Sequence, residues 1–223
     1  MPNLYPALGR QEVVVHTPRH ARSLAELTGE ELDRIAGTWR ARAHVAREDG
    51  FAYVHALVNE GRAAGASLAH THSQLAWLAE EPPAPAGERE GGCRVCAALA
   101  EERSSGARIV DERGGLVLLC PYASRLPYEL LIAPVEHEAD GFASPLLGDA
   151  LHLLADGLRR LHAVEGASPI NAWLHTAPFG GEGHWHLEVL PRFVILAGLE
   201  LGAGIYVNSL APEAAAVGLR EAL

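Results

Sequence analysis

Histidine pairs separated by one residue occur twice in the chain: His70 and His72, and His184 and His186. On a strand, residues i and i+2 share one face, so each pair would present two adjacent imidazoles. Gln74 and Glu188 would follow on the same two faces. Adjacent imidazoles serve as metal ligands, or as a nucleophile beside a neighbour, because a neutral imidazole is nucleophilic near pH 7. A single pair is more often a solvated strand face, so its surroundings decide between these roles.

A glycine-rich turn precedes the first pair and runs from Asn59 to Ser67, with the sequence NEGRAAGAS. Glycines allow a turn in which several backbone N–H groups point to one spot, and such a turn binds phosphate. The Ser67 hydroxyl can add one more donor. The turn therefore favours a functional role for His70 and His72 over a solvated strand face.

The two halves of the chain share landmarks that are 112 to 117 residues apart: Pro6 and Pro121, Glu12 and Glu129, His20 and His137, Asn59 and Asn171, and His70 and His184. Their common order indicates two copies of one unit, each with a strand, P-x-x-H, a helix, a strand and an H-x-H strand. The segment 80–92 is rich in Pro, Gly and charge, which predicts a linker. The predicted organisation is a first copy at 1–79, this linker, and a second copy at 93–223.

Helix signals lie between the strand-like runs. Thr28 and Glu31 predict a capping box, and apolar residues follow them at helical spacing. Ser144 and Pro145 predict the N-cap and first turn of a second long helix, and Pro212 opens a short C-terminal one. Strands around long helices predict an α+β fold, an antiparallel sheet with helices packed on it.

Cys93 and Cys96 form a C-x-x-C pair, which is typical of a redox pair, a zinc pair or two small buried residues. A redox pair usually sits in a thioredoxin-like unit, and no such unit is evident. Zinc needs two more ligands. The second copy supplies them as His137, at the end of its P-x-x-H, and His184, so a Cys2His2 zinc site is the favoured prediction.

Composition excludes several classes of function. The formal net charge is -10 and all 18 cationic residues are Arg, which argues against broad binding to nucleic acid or anionic membranes. No apolar stretch approaches the ~20 residues that a membrane helix needs, and no signal-peptide pattern opens the chain. Three cysteines do not form a disulfide framework, so we expect a cytoplasmic protein.

The stretch from Asn59 to Gln74, N-E-G…G-A-S-x-x-H-T-H-S-Q, resembles the H-x-H-x-Q signature of galactose-1-phosphate uridylyltransferases and the related ADP-glucose phosphorylases. These enzymes belong to the histidine-triad superfamily. Further motifs follow in family order over nearly the whole chain: Asn3-Leu4-Tyr5-Pro6-Ala7-Leu8, Pro127-Tyr128-Glu129, His175-Thr176-Ala177-Pro178 and Ala197-Gly198-Leu199-Glu200. The resemblance implies that the two copies are tandem histidine-triad-like repeats.

The resemblance also implies a ping-pong nucleotidyl transfer that acts on a sugar nucleotide and a phosphate acceptor. His72 would attack the α-phosphorus, and a carbonyl bonded to its other ring nitrogen would fix the tautomer. Gln74 would donate to a phosphoryl oxygen. The other implied contacts are to the nucleotide and its phosphates (Asn3, Asn59 and Ser67) and to the sugar (Glu200).

Gln74 bears on the type of reaction. Hydrolases of the superfamily tend to carry a third histidine at this position, and a histidine can move a proton whereas Gln cannot. The intermediate should therefore wait for a phosphate acceptor, which favours a transferase or phosphorylase. A hydrolase of nucleotide conjugates remains an alternative. So does a degenerate, zinc-stabilised nucleotide-binding protein without turnover.

For the metal, the resemblance implies zinc on Cys93, Cys96, His137 and His184, or a second site of the uridylyltransferases. The residues that match this second site are Glu88, His175, His184 and His186. Both sets claim His184, so they compete, and zinc is favoured because the cysteines have no role in the other set. The repeat offset places the first copy's C-x-x-C before Met1, which would leave His20 and His70 as half of a front metal site. The resemblance also implies a homodimer, since the family is commonly dimeric.

Overall fold

The computed structural model describes residues 10–223. Its strands are β1 (Arg10–Val15), β2 (Tyr53–Glu60), β3 (His72–Leu78), β4 (Ile109–Arg113), β5 (Leu116–Leu119), β6 (Leu130–Pro134), β7 (Ile170–His175) and β8 (His186–Pro191). They form one antiparallel sheet of eight strands in the order β1-β3-β2-β7-β8-β6-β5-β4. The pairing of β2 with β7 joins the strands of the two halves of the chain into this single sheet.

The helices are α1 (Gly29–Glu48), α2 (Pro83–Gly87), α3 (Arg94–Ser105), α4 (Leu147–Glu165), α5 (Gly198–Ala203) and α6 (Pro212–Glu221), with short 3₁₀ helices at Leu24–Glu26 and Arg62–Ala64. The predicted α+β class and antiparallel sheet are confirmed. Within the described residues, no helix has both the length and the apolar character needed to cross a bilayer.

One face of the sheet carries the main core. Buried side chains of α1, α4 and α6, such as Ile35, Leu154 and Leu219, pack against the apolar face of the central strands. On the opposite face, α3 lies over β5 and β6 through a smaller apolar cluster that includes Leu99 and Leu119. The sheet therefore separates a closed apolar layer from a face on which polar strand residues remain accessible.

The start of α1 agrees with the sequence, and the start of α4 does not. The Thr28 hydroxyl accepts from the Glu31 N–H, and the Glu31 carboxylate accepts from the Thr28 N–H at 2.9 Å, so the capping box is confirmed. Helix α4 begins at Leu147, after the predicted Ser144 N-cap. Ser144 Oγ still accepts from the Leu146 N–H at 3.1 Å, as a capping side chain does, and its hydroxyl donates to Glu138 at 2.8 Å, so it holds the turn that precedes the helix.

The segment 80–92 is more ordered than the predicted linker. Pro83 begins the short helix α2, where a proline at the first position loses no hydrogen bond. Arg89 then forms two contacts of 2.6 Å with the Glu81 carboxylate. The division of the chain into units at 1–79 and 93–223 stays a prediction.

Candidate functional site

His72 is the first residue of β3, and only 4% of it is exposed. Its Nδ1 lies 2.9 Å from the backbone oxygen of His70. Because a carbonyl oxygen can only accept, Nδ1 carries the proton and Nε2 keeps its lone pair. This is the tautomer in which Nε2 can act as a nucleophile.

The start of β3 at His72 corrects one sequence expectation. His70 precedes the strand, so it does not share a strand face with His72; the chain turns there and brings the His70 carbonyl onto the His72 ring. His184 likewise precedes β8, which begins at His186. Extending the strand period over the whole motif was wrong, because in both copies the strand begins only at the second histidine.

Gln74 lies two residues along β3 from His72 and shares its face. Its Oε1 accepts a hydrogen bond of 2.5 Å from the Gln11 amide on β1. This orients the Gln74 amide nitrogen as the group that can donate to a ligand. Asn59 is the last residue but one of the neighbouring strand β2, and its Oδ1 accepts from Asn171 Nδ2 at 2.7 Å.

The glycine-rich turn between Asn59 and Ser67 differs from the expected phosphate cradle. The N–H groups of residues 64–66 donate to the carbonyls of Gly61 and Arg62, within the turn itself. Gly61 has a φ of 80°, and a Cβ there would lie 2.9 Å from Pro169, so a glycine is required. The exposed Ser67 hydroxyl, the other expected donor, takes no part in these hydrogen bonds within the turn.

A buried polar network lies behind His72. The Glu60 carboxylate accepts from the Leu24 N–H at 2.7 Å and from the Thr71 hydroxyl at 3.3 Å, and Thr71 in turn contacts His16 Nδ1 at 2.9 Å. Burial raises the pKa of Glu60 to about 7. Burial, and then the nearby His72, lowers the pKa of His16 to about 3. The network therefore carries little net charge near neutral pH. It was not predicted from the sequence.

One row of side chains connects the two halves of the sheet. Gln74 is paired with Leu57, Leu57 with Trp173, and Trp173 with Glu188. Residues opposite each other on an antiparallel ladder share a face, so Gln74 and Glu188 lie on the same side of the sheet, about 14 Å apart at ~4.8 Å per strand. Gln74 and Glu188, which each follow an H-x-H pair by two residues, therefore lie on one face of the sheet.

The predicted zinc ligands converge. The ligand atoms of Cys93, Cys96, His137 and His184 all lie within 4.8 Å of one another, and the Cys96 sulfur is 3.2 Å from Nδ1 of each histidine. Ligands of a tetrahedral zinc ion are separated by roughly 3.3–3.8 Å. His184 Nε2 donates to the Pro134 carbonyl at 2.9 Å, which leaves Nδ1 as the coordinating atom. The residues fit a zinc ion.

The charge of these ligands is consistent with a cation. Burial, and then the hydrogen bond with Cys93, raises the pKa of the Cys96 thiol to about 11. Burial also lowers the pKa of His184. Metal ligation needs a thiolate and a neutral imidazole, and the thiolate requires a positive charge beside it.

A second cluster joins Glu88, His175, His186 and Glu188, again with ligand atoms within 4.8 Å. The rival metal set of the sequence had His184 in place of Glu188, and that assignment is wrong because His184 lies with the cysteines. The spacing H-x-H-x-E was the signal for Glu188. The two clusters therefore no longer compete for a residue.

Hydrogen bonds fix the charges of this second cluster. His175 Nδ1 lies 2.7 Å from Glu88 and His186 Nε2 lies 3.3 Å from Glu188. Burial alone would lower the pKa of His186, but the hydrogen bond to Glu188 and the charge of Glu88 raise it. Burial would raise the pKa of Glu188, but His186 and Arg125 lower it to about 2.

The two histidine pairs have matching hydrogen bonds. His70 Nε2 lies 2.8 Å from the Thr17 carbonyl, as His184 Nε2 lies 2.9 Å from that of Pro134. The ring centroids of His20 and His70, the two residues predicted as half of a front metal site, are 6.0 Å apart. The similarity of spacing in the sequence thus has a counterpart in side-chain geometry.

Two residues that were predicted to contact substrate, Glu200 and Asn3, are not part of the clusters described above. The Glu200 carboxylate accepts from the Ala197 N–H at 2.9 Å, at the start of its own short helix, so its role towards a sugar stays a prediction. Asn3 lies outside the described residues.

Comparison with known proteins gives a consistent result. Residues 3–82 match the model for the galactose-1-phosphate uridyl transferase N-terminal domain. An ADP-glucose phosphorylase from Arabidopsis thaliana is 28% identical, with 98% of this chain and 72% of the relative covered. A galactose-1-phosphate uridylyltransferase from Thermotoga maritima is 27% identical, with 94% and 73% covered.

Solved structures show the same relationship. The Arabidopsis thaliana ADP-glucose phosphorylase with bound ADP-glucose has a TM-score of 0.89 at 26% identity, with 99% of this chain and 80% of that chain covered. A uridylyltransferase structure has a TM-score of 0.88 at 25% identity, with 100% and 79% covered. The chain therefore shares the overall fold of these proteins.

Proposed function

Because the chain belongs to the galactose-1-phosphate uridylyltransferase family, which also includes ADP-glucose phosphorylase, we propose that it transfers a nucleoside monophosphate through His72. The chain is a nucleotidyltransferase of the 2.7.7 class. The donor is a sugar nucleotide, and the acceptor is a sugar 1-phosphate or inorganic phosphate. The observation that carries the proposal is the hydrogen bond of 2.9 Å between His72 Nδ1 and the His70 carbonyl.

The first step uses the lone pair on His72 Nε2. This atom attacks the α-phosphorus, an N–P bond forms, and the bond from phosphorus to the bridging oxygen breaks. The sugar 1-phosphate leaves with that electron pair. The positive charge that develops on the imidazole is stabilised by the Nδ1–H donating to the His70 carbonyl. The Gln74 amide nitrogen donates to a non-bridging phosphoryl oxygen.

The second step reverses the first with a new phosphate. A phosphate oxygen of the acceptor attacks the phosphorus, the N–P bond breaks, and its electron pair returns to His72 Nε2. Gln74 cannot remove a proton from water, whereas a phosphate oxygen needs no deprotonation to attack. The intermediate is therefore directed to a phosphate acceptor.

Zinc has a structural part in this proposal. Cys93 and Cys96 begin α3, whereas His137 follows β6 and His184 precedes β8, so a zinc ion on these four joins three separate segments. When bound, the ion supplies cross-linking of the chain, because all four positions of a tetrahedral site are taken by protein.

The duplication belongs to the same proposal. We infer two tandem histidine-triad-like repeats, with His70 and His72 in the first and His184 and His186 in the second. The support is the pair of equivalent hydrogen bonds, from each first histidine to a backbone carbonyl and from each second histidine back to the first. Only the first repeat follows its pair with Gln.

Covalent labelling tests the proposal. The protein is incubated with UDP-glucose or ADP-glucose labelled at the α-phosphate, and we expect an acid-labile label on the wild-type chain. His72→Asn keeps a side chain of similar polarity and should abolish the label. His44→Asn, at an exposed histidine that is 69% accessible, is the matched control and should label normally.

The same assay separates the alternatives. Absence of label on the wild type with either donor would contradict transfer through His72 and favour a binding protein. Release of free mononucleotide in water, without any phosphate acceptor, would favour a hydrolase.

A further inference from the structure

A cavity of about 630 Å³ lies under α3, on the same sheet face as Gln74 and distant from His72 by several strands. Its walls are apolar side chains of α3, β5 and β6: Val95, Leu99, Leu119 and Leu131. His186, Glu188 and Glu88 form its inner end. Cavities of this size, with apolar walls and a few convergent polar groups, are the usual form of a small-molecule site.

The inner end repeats the geometry of the proposed transfer site with one change. His186 Nδ1 lies 3.1 Å from the His184 carbonyl, as His72 Nδ1 lies near that of His70. His186 Nε2, however, is 3.3 Å from the Glu188 carboxylate. The Glu188 carboxylate therefore lies on the side from which a phosphorus atom would have to approach His186 Nε2, and a carboxylate repels the phosphate there.

Charge determines which part of a nucleotide fits there. Glu88 and Glu188 both face the inner end of the cavity, and a carboxylate only accepts hydrogen bonds. A phosphate placed there would meet these two carboxylates, and the arginines that line the cavity already pair with other acids, Arg94 with Glu90 and Arg108 with Glu102 and Glu213. Hydroxyl and amino groups would therefore be the better partners. The apolar walls formed by Leu99 and Leu119 suit a flat ring, and the exposed Tyr122 ring lies at the cavity edge.

We propose that this cavity is a second, non-transferring site that binds a nucleoside without phosphate, with its base between α3 and the sheet and its hydroxyl or amino groups towards Glu88 and Glu188. The choice of nucleoside rests on the proposed function, since this site reproduces the arrangement that would bind a nucleotide at His72. The replacement of Gln by Glu after the second H-x-H pair turns a transfer site into a binding site.

Calorimetry on the full chain tests the inference, with adenosine, guanosine, uridine and cytidine and their 5′-monophosphates as probes. The His72→Asn protein is used so that no transfer occurs. The part of the binding that Ala98→Trp removes is due to the cavity rather than to the transfer site, and for this part we expect one nucleoside to bind with one site per chain and its monophosphate to bind about tenfold more weakly. Ala98→Trp places a large ring at the cavity from an exposed helix position and should weaken binding by at least about tenfold.

Ala97→Trp is the matched control, since Ala97 is exposed on the same helix but does not line the cavity. It should bind the nucleoside as the parent does. The inference is wrong if none of the four nucleosides binds, if Ala98→Trp binds as well as Ala97→Trp, or if the binding that Ala98→Trp removes is tighter for the monophosphate than for the nucleoside. Labelling at His72 is measured separately in Ala98→Trp and should be unchanged, so failure of one proposal does not imply failure of the other.

Discussion

Asn171 donates its side-chain amide to Asn59 Oδ1 at 2.7 Å, at the point where the strands of the two halves pair. The same nitrogen also donates to the Ala64 carbonyl at 2.8 Å, and Asn171 Oδ1 accepts from Arg192 at 3.0 Å. One side chain thus ties the glycine-rich turn before His72 to the second half of the sheet. The position of that turn depends on a residue more than 100 positions away in the chain.

Asn171→Ala should therefore weaken both the fold and the proposed transfer. Loss of these hydrogen bonds is expected to lower the free energy of unfolding by about 1–3 kcal/mol, because it leaves the Ala64 carbonyl and Asn59 without a donor. The rate of labelling at His72 should fall with it, since the turn loses its anchor. Urea unfolding and the labelling assay measure the two effects. Asn208→Ala, which removes only a local contact with the Leu210 N–H, should change neither by as much.

Glu60 predicts a pH dependence of stability. Its pKa of about 7 in the folded protein is above the ordinary value of 4.5, so the native state holds the proton more tightly than the unfolded chain. This contribution is complete below about pH 4.5 and is lost as the pH rises through 7, by at most about 3 kcal/mol. Glu60→Gln keeps a neutral acceptor for the Leu24 N–H and should remove this loss.

The difference in unfolding free energy between wild type and Glu60→Gln, measured by urea from pH 5 to 8, isolates the effect. His16 contributes equally to both proteins and cancels. Glu30→Gln, at an exposed carboxylate 3.8 Å from Arg34, should follow the wild-type curve. If Glu60→Gln also follows that curve, the Glu60 carboxyl does not hold a proton at neutral pH in the folded protein.

The order of elements and the grouping of the four predicted zinc ligands could be read from the sequence because they depend on local patterns. The capping box at Thr28 is set by residues three apart, and the zinc set follows from motifs repeated at a constant offset. The fourth member of the second cluster, Glu188, could not be assigned because His184 fitted the same motif. Which cluster each residue joins depends on where β8 begins, and it begins at His186 and not at His184.

The hydrogen bonds of the glycine-rich turn were beyond sequence reasoning for a different reason. Glycines predict a turn, but they do not predict whether its N–H groups point outward or back to its own carbonyls. Residues 64–66 bond back to Gly61 and Arg62 because the contact of Gly61 with Pro169 fixes the turn from the other half of the chain. Such a contact between distant residues leaves no local pattern.

Removal of zinc gives a further prediction. Cys93→Ser should lower the metal content of the purified protein from about one zinc per chain to near zero and destabilise it, because a structural zinc contributes folding energy directly. Elemental analysis and thermal unfolding measure both. Cys120→Ala is the matched control, since Cys120 is a fully buried thiol outside the cluster, and it should keep its zinc. Equal metal content in the two variants would contradict the assignment.

Acid should release this zinc. Burial raises the pKa of the Cys96 thiol to about 11, so binding displaces a proton and the affinity falls as the pH is lowered. A chromogenic chelator should therefore remove zinc faster at pH 5.5 than at pH 8. Release that is independent of pH would show that the thiols are not ligands.

Arg125 holds two carboxylates together beside the second cluster. It contacts Glu129 at 2.6 Å and also pairs with Glu188, and both acids are largely buried. Arg125→Met keeps the length of the side chain but leaves Glu129 without its cation and Glu188 with only its histidine contacts, so we expect a loss of about 2–3 kcal/mol in unfolding free energy at pH 8. Arg34→Met, at an exposed arginine 3.8 Å from Glu30, should cost less than about 0.5 kcal/mol. Similar losses in both variants would mean that the pairing of Arg125 with Glu129 and Glu188 contributes no more to the free energy of unfolding than an exposed ion pair does.

The predicted homodimer can be tested at the segment after β8. Phe193, Ile195, Leu201, Ile205 and Val207 are exposed there, and Ile195 is 90% accessible. A dense group of exposed apolar side chains marks a protein interface in a folded chain, because burying each one is favourable by about 1.5–3 kcal/mol. Light scattering after gel filtration should give the mass of a dimer for the wild type and of a monomer for Ile195→Glu with Leu201→Glu. Val164→Glu, a similar change on α4, should stay dimeric, and a monomeric wild type would contradict the prediction.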